Sequence, residues 1–498
     1  MHISQPIEVD VCPFHTTSRL GVNCCDEGQT HLTIDTLPED ALLYVFDFYL
    51  AQVFEVEGWH TLVHVCRRWR DLVFESPRRL NLQIVCTDET PVMEKLDVWP
   101  ALPIVISGYC KSLTSLDNVK AALKHHDRVG KIKLLFVVCE LEDIIASLQK
   151  PFPILTDLDL TAVGSSRPFD PDPAKFLGGS ARLRSLTLSC LRIPDLINLL
   201  LSAPNLVILR LDGIRNSSSI LPDEIITGLS ALTRLEQLDL LVEFGQSHPD
   251  GEHRRLPLLT RTVLPSLTVL RVRGTTANLE DFVARIDTPL LNHFYILFSC
   301  SSDRVIVLDT PHLLRFISHI PKLQAPDEAY IGFDSDKYKM WINFFSPARR
   351  SRRVLRLEIF CTEPDRQFPC LAQFCRSPPF PLHPLEYLYI GDGQFSKYYQ
   401  RNDTENNRWL ELLQPFVAVK NLYLTKGFAL HVAHALRELV GERVMEVLPS
   451  LENVLIHEFQ QSGPVHEVIK GFVAARQLAG HPIIISRWNM KKRRARHQ

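Results

Sequence analysis

One pattern of apolar positions recurs over most of the chain: apolar, two of any kind, apolar, one of any kind, apolar. It appears at Leu155-Leu158-Leu160, Leu183-Leu186-Leu188, Leu206-Leu209-Leu211, Leu235-Leu238-Leu240, Leu267-Leu270-Val272 and Leu291-Phe294-Ile296. It resumes at Val354-Leu357-Ile359, Leu385-Leu388-Ile390, Val419-Leu422-Leu424 and Leu451-Val454-Ile456, and Ile132-Leu135-Val137 reads as an earlier member. Successive units start 23 to 34 residues apart, except for a double step of 63 between Leu291 and Val354. Alternation within each unit predicts a short strand with one buried side. The stretches between, such as 194–202 and 429–440, have helical spacing. A fixed period of this size predicts a stacked repeat array.

Proline shares the phase. It stands two residues before the first apolar position at Pro153, Pro204, Pro265, Pro289, Pro321 and Pro449. There it is expected to end the preceding helix and lead into the strand. Pro321 then marks a degenerate unit near Leu323, inside the double step.

The region before the array is patterned differently. Leu42, Val45, Phe46 and Tyr49 recur at steps of three and four, which predicts an amphipathic helix with Thr36 as N-cap and Pro38, Glu39 and Asp40 in its first turn. Leu62, Val65, Cys66, Trp69, Leu72 and Val73 predict a second helical stretch from Trp59 to Phe74, ended by Ser76-Pro77. Residues 79–86 alternate and read as a strand. A last strand is expected from His481 to Ser486.

Composition explains what the array is made of. The chain has 498 residues, of which 73 are leucine and only 21 glycine. So much leucine requires a long core. A net charge of -2 argues against a uniformly basic nucleic-acid coat and against a strongly acidic chain. No run of about 18 apolar residues predicts a membrane span, and no basic segment followed by an apolar run suggests a secretory leader. The 12 cysteines are scattered, with Cys66, Cys86, Cys139 and Cys190 inside apolar runs. That fits reduced, buried thiols of a protein in the cytoplasm, the nucleus or both. Cys12, His15, Cys24, Cys25 and His31 lack the paired spacing of a metal site. The cluster Lys491-Lys492-Arg493-Arg494-Ala495-Arg496 reads as a solvated terminus or an import signal.

Leu37-Pro38-Glu39-Asp40, followed by an apolar helix and then by Val65-Cys66-Arg67-Arg68-Trp69, resembles the F-box. The wording of residues 63–80 and 96–103 is similar to the expanded F-box families of mushroom-forming fungi. The later array resembles leucine-rich repeats, although the family's asparagine after the third apolar position is replaced by Val163, Leu191, Ile214 and Gly427. Together these imply an α+β chain: short all-α F-box helices, then an irregular α/β solenoid with a strand-lined concave side. The implied organisation is a leader at 1–34, an F-box at 35–78, a linking strand and first cap at 79–130, a solenoid at 131–486 and a basic tail at 487–498. The resemblance further implies a substrate-recognition subunit of an SCF-type ubiquitin ligase. Its partners would be a Skp-family adaptor, through it cullin and RING subunits, and a target protein, with no membrane, nucleic acid or cofactor. A ligase-independent interaction scaffold is the alternative.

By the same resemblance, Leu37, Pro38, Leu42, Val45, Phe46, Val65, Cys66, Trp69 and Leu72 form the adaptor-binding set. Three short helices cannot bury so many large side chains among themselves, and an exposed surplus marks a partner site. Target-contacting candidates are the residues between the strand leucines: Arg210, Gln237, Asp239, Arg271, Tyr387, Tyr389 and Tyr423, with Asp157, Asp159, Ser185 and Thr187 in equivalent places. No phosphate loop, zinc-protease or nucleophile-elbow motif is present. Catalytic residues and metal ligands are therefore not expected. His125 and His126 are expected on a polar helix face.

Overall fold

The computed structural model describes residues 34–52, 58–75, 82–86, 88, 92–98, 103–137, 142–163, 172, 175–178, 182–193, 195–214, 222–241, 261–299, 310–320, 326–334, 339–345, 353–360, 364–376, 382, 384–391, 403–460 and 462–488. The leader, the basic cluster from Lys491, Cys139 and Pro321 lie outside them. Two compact units divide at residues 75 and 76.

The first unit holds α1 (Glu39–Gln52), α2 (Gly58–Val65) and α3 (Arg67–Glu75). Thr36 is not the N-cap of α1: it ends a short 3-10 turn from Ile34. The Pro38 carbonyl instead accepts the first helical bond, from Leu42 N–H at 3.1 Å. The stretch from Trp59 to Phe74 is two helices rather than one, because Cys66 breaks it. Its Sγ accepts from Trp69 N–H at 3.4 Å and its carbonyl from Arg70 N–H at 3.1 Å. The thiol thus does the work of an N-cap oxygen for α3. Arg70 Nε donates to the Val63 carbonyl at 3.0 Å, and an Arg68 guanidinium nitrogen donates to the Leu37 carbonyl at 2.7 Å.

The second unit is a single open sheet with helices between its strands. In chain order it runs β1 (Leu82–Cys86), α4 (Val92–Val98), β2 (Ile104–Cys110), α5 (Leu113–Leu123), β3 (Val129–Phe136), α6 (Glu142–Leu148), β4 (Asp157–Ala162), β5 (Ser185–Ser189), α7 (Leu196–Leu201), β6 (Ile208–Asp212), α8 (Pro222–Leu229) and β7 (Gln237–Leu241). It continues through β8 (Thr262–Val263), β9 (Val269–Gly274), α9 (Thr276–Ala284), β10 (Ile286–Asp287), β11 (His293–Ser299), α10 (Pro311–Ser318), β12 (Glu328–Asp334), β13 (Lys339–Phe345), β14 (Arg353–Phe360) and α11 (Pro364–Arg376). It closes with β15 (Tyr387–Gly391), α12 (Asp403–Leu413), β16 (Asn421–Leu424), α13 (Lys426–Arg437), β17 (Asn453–His457), α14 (Pro464–Leu478) and β18 (Ile484–Trp488). Sixteen of these strands form one sheet, with β1 and β18 at its two edges; β8 and β10 pair separately. The array of repeating βα units is thus present and unclosed.

Two rows of apolar side chains cross the sheet on its buried side. One passes through Ile132, Leu158, Leu186, Leu209, Leu238, Leu270 and Phe294 in successive registers, the other through Leu134, Leu160, Leu188, Leu211, Leu240, Val272 and Ile296. All are buried. Burial of apolar area along these rows drives the stacking of unit on unit. The register corrects the phase of the first repeat: Ile132 aligns with Leu158, so the unit is Val129-Ile132-Leu134, not Ile132-Leu135-Val137. Val137 is exposed. Apolar residues at both parities in this run allowed either phase, and burial selects one.

The prolines have a different job from the one expected. Several strands of the array are preceded by a turn in which the first apolar residue donates its N–H to the carbonyl three residues back. Examples are Leu155 to Phe152, Leu206 to Ala203, Leu267 to Leu264, Leu291 to Thr288 and Leu451 to Leu448, at 3.0 to 3.3 Å. Pro153, Pro204, Pro265, Pro289 and Pro449 occupy the second position of these β-turns, where a fixed φ is already correct. The same turn forms without proline there at Leu232–Leu235 and Phe416–Val419.

The family's asparagine position is not what ties these units together, although Asn453 Nδ2 donates to Asn421 Oδ1 at 2.9 Å between β17 and β16. The strand starts of the units are joined through backbone, each carbonyl accepting two amides of the next unit. Thr156 O takes Arg184 and Ser185 N–H, Arg184 O takes Val207 and Ile208, and Val207 O takes Glu236 and Gln237, all at 2.8 to 3.0 Å. Glu386 O and Lys420 O repeat the motif near the other end.

The double step holds more than one degenerate unit. Strands β12, β13 and β14 form an antiparallel meander, and the sheet order runs β11-β14-β13-β12-β15. Two reversals let the array resume in parallel. Glu328 aligns with Tyr387, Ala329 with Leu388 and Ile331 with Ile390. The degenerate unit is therefore Pro326-Ala329-Ile331, three residues after Leu323, which lies outside the described residues. Leu355, not Leu357, aligns with Phe294. Gly332 lies opposite Trp341, and a Cβ on Gly332 would collide with the indole.

Candidate protein-interaction surfaces

The other side of the sheet carries one uninterrupted row of side chains. From β3 to β18 it reads Lys133, Asp159, Thr187, Arg210, Asp239, Arg271, Tyr295, Arg356, Asn343, Tyr330, Tyr389, Tyr423, Leu455 and Ser486, each in register with the next. Five of the seven residues expected to face a target belong to this row: Arg210, Asp239, Arg271, Tyr389 and Tyr423. Gln237 and Tyr387 lie two residues earlier on β7 and β15, on the same side. Asp157, Asp159, Ser185 and Thr187 also fall on it.

The charges on this face are arranged to satisfy one another. Asp239, only 6% exposed, accepts from an Arg271 guanidinium nitrogen at 2.7 Å, lies 3.3 Å from Arg210 Nε, and accepts from Gln237 Nε2. It is therefore the anchor that aims two half-exposed guanidinium groups rather than a free acceptor. Asp159 sits between Lys133 and Arg210, yet burial outweighs both and raises its carboxyl above the usual range.

A second anchor was missed by the sequence reading because it lies in the meander. Glu358, 2% exposed, accepts from Lys339 Nζ at 2.8 Å, an Arg356 guanidinium nitrogen at 2.7 Å and Tyr295 Oη at 2.5 Å. Burial pushes its carboxyl up, but these three donors together hold it below the usual range. Burial, then the Glu358 bond, pushes the Tyr295 phenol up. Arg356 lies over the rings of Tyr295 and Trp341, 5.4 and 5.0 Å from their centroids.

Near the C-terminal edge the row turns aromatic. Tyr389 and Tyr423 stack with centroids 4.1 Å apart and planes 14° apart, and Trp488 meets Tyr423 edge-on at 5.4 Å. Trp488 lies beyond the expected end of the last strand. Its Nε1 donates to the Leu424 carbonyl at 3.1 Å, which fixes the indole. An amphipathic aromatic platform of this kind is suited to protein contact.

In the helical unit the adaptor-binding set divides. Leu42, Phe46 and Leu72 are buried, and Phe46 packs on Trp69 with centroids 4.7 Å apart. Leu37, Cys66 and Trp69 are half-buried, and Pro38 is exposed. Val45 and Val65 are 44% and 54% exposed. Tyr44 and Phe48, which the sequence reading left out, are 67% and 69% exposed and one turn apart on α1. Tyr49, which shares their helix, gave the same composition signal, and only burial separates inward from outward apolar residues.

Among the described residues no group of three or more His, Cys, Asp or Glu side chains is placed to hold a metal, and no helix is long and apolar enough to cross a membrane. Cys86 and Cys110 are buried, and burial pushes their thiols up to about 12 and about 11. Cys190 is exposed, contrary to expectation, because it stands at a positive φ just past β5. His125 and His126 follow α5 in a turn, with His126 Nδ1 2.8 Å from the Pro151 carbonyl, rather than on a helix face.

No family model matches the chain, and no curated protein matches it. Among solved structures it is similar to the leucine-rich repeat-containing protein LegL7 from Legionella pneumophila, at 12% identity over 81% of this chain and 99% of that one, with a TM-score of 0.26. The repeat architecture stands on the strand order and registers given above rather than on that likeness, and no family membership follows from it.

Proposed function

We propose that the chain is a non-catalytic interaction scaffold that holds a target protein on the exposed face of its sheet. In the finer form of this reading, the helical unit docks to a Skp-family adaptor, and through it to cullin and RING subunits of a ubiquitin ligase. The chain is then the substrate-recognition subunit. Its contribution is proximity: a held target presents its lysines at high effective concentration to chemistry performed elsewhere.

The observation that carries the scaffold reading is the side-chain row in register across the sheet, with its guanidinium groups aimed by Asp239 and Glu358 and its aromatic end fixed by Trp488. Preorganised polar and aromatic groups on a rigid face are what a protein interface needs. The adaptor reading is supported by the residue resemblance at 37–40 and 65–69 and by exposed Val45, Val65, Tyr44 and Phe48. In it Leu42, Phe46 and Leu72 hold the helices together, while Leu37, Pro38, Val45 and Val65 meet the adaptor, with Cys66 and Trp69 at its margin.

Co-expression with a Skp-family adaptor tests it. The unmutated chain co-purifies with the adaptor, and Leu37→Ala plus Pro38→Ala weakens the complex by about 30-fold, as loss of an interface anchor does. Absence of co-purification by the unmutated chain leaves the ligase-independent scaffold as the reading.

A further inference from the structure

Most cations on the sheet's exposed side and at its strand starts have a carboxylate. Arg210 and Arg271 share Asp239, Arg356 and Lys339 share Glu358, Lys131 has Asp157, and Lys420 has Glu386 at 2.7 Å. One cluster of arginines departs from this rule. A cleft of about 570 Å³ opens at the strand starts of β5 to β7, and three of its lining residues are Arg182, Arg184 and Arg234. All three are exposed, and among the described residues none has an ion-pair partner. Its volume is within the range of binding clefts.

The repeat fixes how these groups are spaced. Arg182, Asn205, Arg234 and Ser266 occupy the residue just before the first apolar position of four successive units. Thr156, Arg184, Val207 and Glu236 occupy the residue just after it. Neighbouring strands are about 4.8 Å apart, so Arg182 and Arg234, two strands apart, are about 10 Å apart at the backbone. At that separation the two guanidinium groups can each meet a carboxylate of their own. The same separation matches residues three apart on a segment in the extended polyproline II conformation, whose three residues per turn and rise of about 3.1 Å put positions i and i+3 on one side. Glu236, two residues after Arg234, opposes a concentrated dianion more than two separated single charges.

We infer that this cleft binds an extended acidic segment of a partner protein, through two carboxylates spaced three residues apart. Arg182 with Arg184 takes one carboxylate and Arg234 the other, each guanidinium offering a planar fork of donors. The inference rests on the scaffold reading and adds the chemistry of one part of the held target.

The test uses the purified full chain and labelled peptide pools in fluorescence polarisation. One pool is fixed as Glu-x-x-Glu, the second as Gln-x-x-Gln, and the third as phosphoserine-x-x-Gln. The Glu pool binds about tenfold or more tighter than the Gln pool, and the preference shrinks as salt is raised. Arg182→Ala plus Arg234→Ala abolishes the preference while the far-UV spectrum and melting midpoint stay unchanged, as expected for exposed side chains, and Arg443→Ala leaves it intact. Equal binding of the Glu and Gln pools, or an undiminished preference in the double variant, overturns the inference. Tighter binding of the phosphoserine pool than of the Glu pool also overturns it, in favour of a single phosphate. None of these outcomes depends on the adaptor, so co-purification with a Skp-family protein succeeds or fails independently.

Discussion

The phenol of Tyr295 and the carboxylate of Glu358 meet at 2.5 Å although 63 residues separate them in the chain. The bond joins β11, the last parallel strand before the meander, to the meander that interrupts the array. Lys339 and Arg356 complete the site from β13 and β14. Glu358→Ala leaves two cations and a phenol without their acceptor. It is expected to lower unfolding free energy by about 3 kcal/mol, the scale for breaking a buried pair from one side. Glu358 has a depressed carboxyl in the folded protein. Its stabilisation is therefore present above the ordinary glutamate range and lost as pH falls through the depressed value. Urea unfolding from pH 7 downward checks both points, and Glu358→Gln flattens the acid limb of the profile.

The turn that precedes β7 offers a stabilising change. Leu235 N–H bonds to the Leu232 carbonyl at 3.1 Å, as in the proline-bearing turns, but Thr233 holds the second position. Thr233→Pro removes conformations from the unfolded chain while keeping the native turn. A gain of about 0.4 to 1 kcal/mol is expected by chemical denaturation. A loss of stability instead means that the Thr233 N–H or its φ differs from the other turns.

Cys66 makes an opposite pair of predictions in the helical unit. Its thiol caps α3 through Trp69 N–H. A hydroxyl is a better acceptor in this place, so Cys66→Ser retains or slightly raises helix stability. Cys66→Ala lowers it by about 1 kcal/mol. Thermal melts of the two variants, compared with adaptor co-purification of each, separate a capping role from a docking one.

The repeat was legible in the sequence because a buried row needs a large apolar side chain at fixed positions of every unit, and leucine supplies it. The phase failed where that demand loosens. At Val129 to Val137 apolar residues stand at both parities. In the degenerate unit Pro326 takes the first position and Ala329 the second, and both are buried without being large aliphatics. The meander was illegible for a different reason: an antiparallel strand such as Lys339–Phe345 buries the same alternation as a parallel one, so periodicity cannot report direction. On the exposed face, alternation alone identified Arg210, Asp239, Arg271, Tyr389 and Tyr423. It could not find Glu358 or Trp488, whose roles come from partners 63 and 64 residues away. In the helices, apolar spacing marked Leu42, Phe46 and Leu72 together with Val45 and Val65, because a core residue and a docking residue look alike until burial distinguishes them.

On the proposed scaffold reading, capture of a target depends on the aromatic end of the exposed sheet face. Proximity labelling in cells with the proteasome inhibited, comparing the unmutated chain with Tyr389→Ala plus Tyr423→Ala, tests this most directly. The predicted result is a set of labelled proteins that disappears in the double variant while labelling of the Skp-family adaptor persists. An unchanged set of labelled proteins in a folded double variant would contradict it.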